Sequence, residues 1–300
     1  NALLKRNELP NNTFVIGCGR GDKKGNTFKN LDKKISKNSE YIKVNPSNLD
    51  DFKTLKKKLN SFKSKSKADK INIISYLSTP PQSYEDIIIN IIKSEMNKEE
   101  YGYSRIVIEK PFGQNLKSAK KLNKLLKTGF NENQIFRIDH YLGKETVQNI
   151  LVSRFSNLVF NALWNREHIS YIEITAAENI GIMKRGEYYD KSGALKDMIQ
   201  NHLLELLSLT AMNDPKENSQ DSIRDEKVNV LKSIKKIDFK NNIVRGQYIK
   251  SKGRKGEEYD SYRSSMGVSN NSKTETYFAC KLFIENERWK DIPFFIRTGK

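Results

Sequence analysis

The stretch Arg137-Ile138-Asp139-His140-Tyr141-Leu142-Gly143-Lys144-Glu145 packs a carboxylate, an imidazole, a phenol and an ammonium into six residues. If Gly143-Lys144-Glu145 opens the apolar-periodic run Val147, Ile150, Leu151, then His140, Tyr141 and Lys144 gather at a helix N-terminus. Exposed N–H groups and the positive end of the helix dipole favour an anion there. Alone, the cluster also reads as an ordinary charged helix start. A second imidazole, His202, sits on the apolar stripe Leu195, Met198, Ile199, Leu203, Leu206, Leu209 of a long helix. That placement suits a buried structural histidine as well as a general base. Asp197 lies five residues earlier. On an α-helix that is roughly 140° away, so Asp197 should approach a shared ligand from the flank.

A third set of residues suits a nucleotide. Thr13-Phe14-Val15-Ile16-Gly17 is a continuous apolar run, the pattern of a buried parallel strand, and Arg20 follows it within three residues. In dinucleotide folds the end of the second strand meets the adenosine ribose. An acid there suits NAD, and an arginine suits the 2′-phosphate of NADP. Asp22 is the competing residue; the spacing favours Arg20 and NADP. Lys110 and Tyr84 also fall just beyond strand ends, where ligands of parallel sheets collect.

The elements that must position these groups alternate. Residues 1–9 read as a helix tail closed by Leu9-Pro10. Leu49 to Phe62 is a lysine-rich amphipathic helix, Ile71 to Leu77 a strand stopped by Pro80-Pro81, Tyr84 to Met96 a helix, and Arg105 to Glu109 a strand. Alternation of this kind means βαβ units and a parallel sheet. From residue 139 the texture changes. Phe155, Leu158, Val159, Phe160 and Trp164 are expected to pack one helix running toward Asn165. Ile169 to Thr175 alternates as a strand, with Glu178 beyond its end. Ser222 to Lys236 is helical, Lys250 to Lys273 a polar surface loop, and Tyr277 to Ile284 and Phe294 to Arg297 strands. An α/β domain over 1–138 is therefore followed by an α+β domain over 139–300 with a largely antiparallel sheet. There are no internal repeats.

Composition narrows the partners. The net charge of +18 suits nucleic acid at first sight. Lysine is scattered beside asparagine, however, as in Lys56-Lys57-Lys58 and Ser64-Lys65-Ser66-Lys67, so solvated faces absorb the charge and no nucleic-acid partner is expected. Cys18 ends an apolar run as a small buried hydrophobe. With Cys280 it makes neither a metal-ligand spacing nor a disulfide framework, which fits a reducing cytoplasm. No apolar run reaches membrane-spanning length, and neither a membrane nor a metal is expected. The chain opens on Asn1 without an initiator Met or signal peptide, as a fragment would.

The wording of four blocks, in order, resembles glucose-6-phosphate dehydrogenases. They are Glu109-Lys110-Pro111-Phe112-Gly113, the stretch from Arg137 to Glu145, Asp197-Met198-Ile199-Gln200-Asn201-His202-Leu203-Leu204, and Arg297-Thr298-Gly299-Lys300. The resemblance implies a Rossmann-like coenzyme domain, NADP as cofactor and oxidation of glucose 6-phosphate at C1. It implies His202 as the catalytic base and Asp139 as the carboxylate orienting its ring. His140, Tyr141 and Lys144 would bind the phosphate, and Glu178, Asp197 and Lys300 the sugar hydroxyls. Lys110 would be shared by sugar and cofactor, with Arg20 and Tyr84 on the cofactor. The full-length form is expected to be a homodimer or homotetramer. The family's first strand and Gly-x-x-Gly loop have no counterpart before Asn1, and the chain stops short of the family's remaining sheet. The chain therefore looks like an incomplete copy, inactive by itself. Two rival readings remain: another Glu-Lys-Pro sugar or polyol dehydrogenase, against which the phosphate cluster argues, and a basic nucleic-acid-binding protein.

Overall fold

Apolar residues two apart in the strands, and three or four apart in the helices, draw the chain into two compact units, Asn1–Arg137 and Ile138–Lys300. The computed structural model describes residues 3, 6–10, 12–22, 32–66, 70–100, 102–217, 219–253 and 256–300. Of the helix expected over residues 1–9, residues 1, 2, 4 and 5 lie outside them, as does Lys67, and residues 6–9 are turn or irregular rather than helix.

In the first unit, β1 (Val15–Gly19) pairs in parallel with β2 (Ser39–Lys43), Val15 facing Ser39. A second ladder has the order β3 (Ile73–Leu77), β4 (Ser104–Glu109), β5 (Ile135–Ile138), with β3 parallel to β4. No ladder joins β1 to β3 among the described residues. The helix Leu49–Ser66 carries Asp50 and Asp51 in its first turn, where the dipole favours them. Its Phe52 and Leu55 join Ile88, Ile91, Ile106, Ile108 and Leu126 in one core. The helix Tyr84–Lys93 supplies Ile87, Ile88 and Ile91 to that core from one face. Cys18 is exposed, not buried as expected, because it lies at the carboxyl end of β1 beyond the core-packed Ile16.

The second unit is built on a mixed four-stranded sheet of order β6 (Ile172–Ala177), β11 (Pro293–Gly299), β10 (Tyr277–Phe283), β7 (Ile243–Gly246). β11 runs parallel to β6 and antiparallel to β10, and β10 is antiparallel to β7. The largely antiparallel sheet expected here is therefore present with one parallel neighbour. Leu203, Leu207, Trp289, Phe294 and Ile296 are among its most buried side chains.

Three local expectations change. The helix expected through Trp164 is two helices, Glu145–Phe155 and Leu158–Leu163. The Asn157 side chain accepts the Val159 and Phe160 N–H groups, so a new helix starts there, and Leu158, Val159 and Phe160 face outward. The polar stretch 250–273 contains a short hairpin, β8 (Ser251–Lys252) with β9 (Glu258–Tyr259). It also holds the fully buried Tyr262, whose hydroxyl donates to Asp190 at 2.8 Å. Arg154, also fully buried, donates to the carbonyls of Leu209 (2.7 Å) and Met212 (2.6 Å) at the end of the helix Leu204–Ala211. Burial pulls its guanidinium down to about 9, still cationic at neutral pH.

Candidate active site

Asp139 and His202 are both buried, at 7 % exposure each, and they meet. His202 Nδ1 lies 2.7 Å from Asp139 Oδ1. The Tyr141 backbone N–H donates to the same oxygen at 2.9 Å, turning the chain so that the Tyr141 ring stacks on the imidazole at 4.4 Å and 18°. His140 stands edge-on to His202 at 4.7 Å. In the tautomer that donates from Nδ1 to this oxygen, Nε2 is the ring nitrogen that keeps a lone pair.

The helix start expected at Gly143-Lys144-Glu145 is present. Lys144 caps the helix Glu145–Phe155, and its backbone carbonyl accepts the N–H groups of Val147 and Gln148 at 3.0 Å each. Its ammonium lies 3.7 Å from the Tyr141 ring centroid. A cation beside a helix N-terminus opposes the dipole, and an anion bound there offsets that cost. Burial, then the negative charges of Glu178, Asp139 and Asp197, push the Tyr141 phenol up, keeping it a hydrogen-bond donor. The structure thus brings His140, Tyr141 and Lys144 to His202 and Asp139.

Asp197 and His202 lie on a π-helical segment, Leu195–Leu203, which precedes the α-helix Leu204–Ala211. Its bonding is visible at the end, where the Leu204 N–H reaches the Ile199 carbonyl. Bonds between residues five apart make side chains at that spacing successive along one face. Asp197 and His202 therefore share a side, and the flanking approach expected from α-helical geometry is corrected. Two residues that the sequence did not single out hold Asp197. The Tyr188 hydroxyl donates to its Oδ1 at 3.1 Å, and Arg185 lies 3.5 Å from the same oxygen. Burial, then Asp197, push the Tyr188 phenol up to about 12. The only sequence signal was a cation and two phenols in Arg185-Gly186-Glu187-Tyr188-Tyr189.

Glu178 and Lys300 extend neighbouring strands. The Glu178 N–H reaches the Gly299 carbonyl at 2.9 Å, and the Lys300 ammonium pairs with the Glu178 carboxylate. Among the described residues, Asp139, His140 and His202 are the group that could hold a metal ion, their ligand atoms lying within 4.8 Å of one another.

In the first unit, Lys110 follows β4, and the Lys110–Pro111 peptide is cis. The preceding Glu109 is held twice: Tyr84 donates to its carbonyl at 3.2 Å, and Tyr76 to its carboxylate. Tyr84 is buried in the core, so it supports the strand end that carries Lys110. Gly113 has φ +86, and a Cβ there would meet the Ala119 nitrogen at 2.6 Å, so only glycine lets this loop hug the following helix. Arg20 follows β1 directly. Asp22 is paired with Lys43 at 3.0 Å, whereas Arg20 forms no ion pair among the described residues.

A parallel-stranded unit with polar groups at its strand ends, followed in sequence by an α+β unit with a buried acid–imidazole pair, defines a two-part dinucleotide-type class. Two family descriptions match within it: the NAD binding domain of glucose-6-phosphate dehydrogenase over residues 1–149, and its C-terminal domain over 151–300. The chain belongs to the glucose-6-phosphate dehydrogenase family. It is 53% identical over 230 residues to the glucose-6-phosphate 1-dehydrogenase of Borreliella burgdorferi, covering 76% of this chain and 48% of that one. To that of Chlamydia muridarum it is 38% identical over 320 residues, covering 99% and 62%. A solved glucose-6-phosphate dehydrogenase in complex with its substrate glucose-6-phosphate matches with a TM-score of 0.88 at 35% identity, over 100% of this chain and 64% of that one. The chain thus spans about half to two thirds of the length of these relatives.

Proposed function

We propose that the protein oxidises glucose 6-phosphate at C1 to the lactone, with NADP as hydride acceptor, residues 1–138 serving the cofactor and 139–300 the sugar. The observation that carries this is the buried Asp139–His202 pair beside the cationic helix start at Lys144. His202 Nε2 takes the proton of the C1 hydroxyl. Asp139 holds the Nδ1 proton, fixes the ring and stabilises the imidazolium that forms. Tyr141 covers one face of the ring and keeps it from turning. His140, Tyr141 and Lys144 grip the phosphate dianion, with Lys144 acting as a compact charge. Glu178, Asp197 and Lys300 hold the sugar hydroxyls, and Lys110 reaches both sugar and cofactor. NADP, when bound, supplies the redox chemistry as hydride acceptor.

The residues present fit one end of that cofactor. Arg20 stands at the carboxyl end of a parallel strand with its neighbour Asp22 committed to Lys43, which suits a 2′-phosphate. Tyr84 acts on the cofactor side by fixing the strand end before Lys110. We place the protein in the cytoplasm, as a homodimer or homotetramer without nucleic-acid or membrane partners; no helix among the described residues is long and apolar enough to cross a membrane.

The test is the full-length enzyme with glucose 6-phosphate, following absorbance of the reduced cofactor with NADP and then NAD. Turnover on glucose 6-phosphate well above that on unphosphorylated glucose or inositol supports the proposal. No turnover overturns it, and steeply salt-dependent DNA binding in its place would favour the basic nucleic-acid reading.

A further inference from the structure

The π-helical segment has its start fixed from outside. Gly193, at φ +67 and ψ 176, breaks the helix Gly186–Ala194 from the segment that follows. The next two N–H groups are ones that a helix start leaves without internal acceptors. Both go to Glu275: Ala194 donates to its backbone carbonyl at 3.0 Å and Leu195 to its Oε1 at 3.1 Å. Its other carboxylate oxygen pairs with Arg245 of β7 at 3.0 Å. Glu275 is buried two residues before β10, so the clasp ties the helix start to the sheet. A Cβ on residue 193 would lie 2.5 Å from Glu275 Oε1, so the turn and the clasp require each other.

We propose that Glu275 is a positioning residue for Asp197 and His202, setting the rotational register of the segment that presents them. A start displaced by one residue would rotate the face of the segment and carry His202 away from Asp139. A carboxylate suits this place because it meets helix N–H groups at the positive end of the dipole. The inference rests on His202 being the base.

The experiment uses the full-length enzyme with Glu275→Ala, Glu275→Gln and Glu275→Asp. One readout is kcat and KM for glucose 6-phosphate. The other, independent of turnover, is the downfield proton resonance of His202 Nδ1–H, assigned by its loss in His202→Asn. Glu275→Ala should lower kcat by roughly 10- to 100-fold, the scale of a small misplacement of a catalytic group, and should shift or broaden that resonance. Glu275→Gln keeps an oxygen for the Leu195 N–H and should restore both readouts. Glu275→Asp, too short to reach Leu195, should resemble alanine and supplies the test if the alanine variant does not fold. A folded alanine or aspartate variant with parental kcat and an unmoved resonance overturns the proposal. If the parent does not turn over glucose 6-phosphate, the functional reading fails, and the resonance still tests the clasp.

Discussion

The two units hold their polar residues in different ways. In the second, four strands form one continuous ladder, and each key side chain is held by a neighbouring group: Asp139 by the Tyr141 backbone N–H, His202 by Asp139, Asp197 by Tyr188. Among the described residues of the first, the strands form two separate ladders, and Arg20 and Lys110 follow strands of different ones. The difference teaches what each job requires. Moving a proton needs a base held in one orientation in dry surroundings, so its partners are buried with it. Binding an anion needs charge at the right place, and a strand end supplies that. Substitutions in the second unit should therefore cost turnover and sugar-phosphate affinity, and those in the first should cost cofactor selectivity.

The largest effect should follow His202→Asn in the full-length enzyme. Turnover should fall by roughly 10²–10⁴, the usual contribution of a general base, while calorimetry shows glucose 6-phosphate binding largely intact. Turnover within a few-fold of the parent would make His202 structural and dissolve the contrast. Next come Lys144→Ala and His140→Ala. Each should weaken glucose 6-phosphate much more than glucose, by about 1.5–3 kcal/mol or roughly 10- to 150-fold. Equal losses for the two sugars would mean that these residues do not hold the phosphate.

Arg20→Ala carries the contrast into the first unit. It should raise KM for NADP by about tenfold, the low end of a charge-assisted contact, and barely change KM for NAD, which has no 2′-phosphate. If both cofactors suffer alike, Arg20 is structural and Asp22 becomes the residue to examine.

The sequence showed most of the elements and the joining of Asp139 to His202 only through words that resemble a family. Apolar periodicity placed β1, β4 and the helix Tyr84–Lys93 within a few residues, because burial on one side leaves a regular mark. It missed β2, Ser-Glu-Tyr-Ile-Lys, whose residues are half-buried and carry no apolar run. It joined Phe155 to Trp164 in one helix, because the Asn157 cap competes with an apolar pattern that faces solvent. The π-helical turn was illegible for a deeper reason. Its apolar stripe is compatible with an α-helix, and the contact at its start, Glu275 to Ala194 and Leu195, is long-range, 80 residues apart in the last case. Tyr188 and Arg185 stayed hidden likewise, since their meaning lies in where Asp197 is placed.

The smallest predicted effect tests whether those hidden partners matter to binding. Tyr188→Phe removes one donor from Asp197 Oδ1 and leaves Arg185 beside the same oxygen. A single hydrogen bond is worth about 0.5–1.5 kcal/mol net, and the remaining cation compensates in part. KM for glucose 6-phosphate should therefore rise a few-fold, with kcat nearly unchanged, the signature of lost uniform binding. The carboxylate would then be freer to turn, and a sugar hydroxyl would meet it in fewer productive orientations. Unchanged KM with a lowered melting temperature would assign Tyr188 to packing alone. A fall in kcat as deep as that of His202→Asn would be more instructive. It would mean that Asp197, sharing a helix face with His202, bears on the proton transfer itself, and that the second unit's network acts as one device.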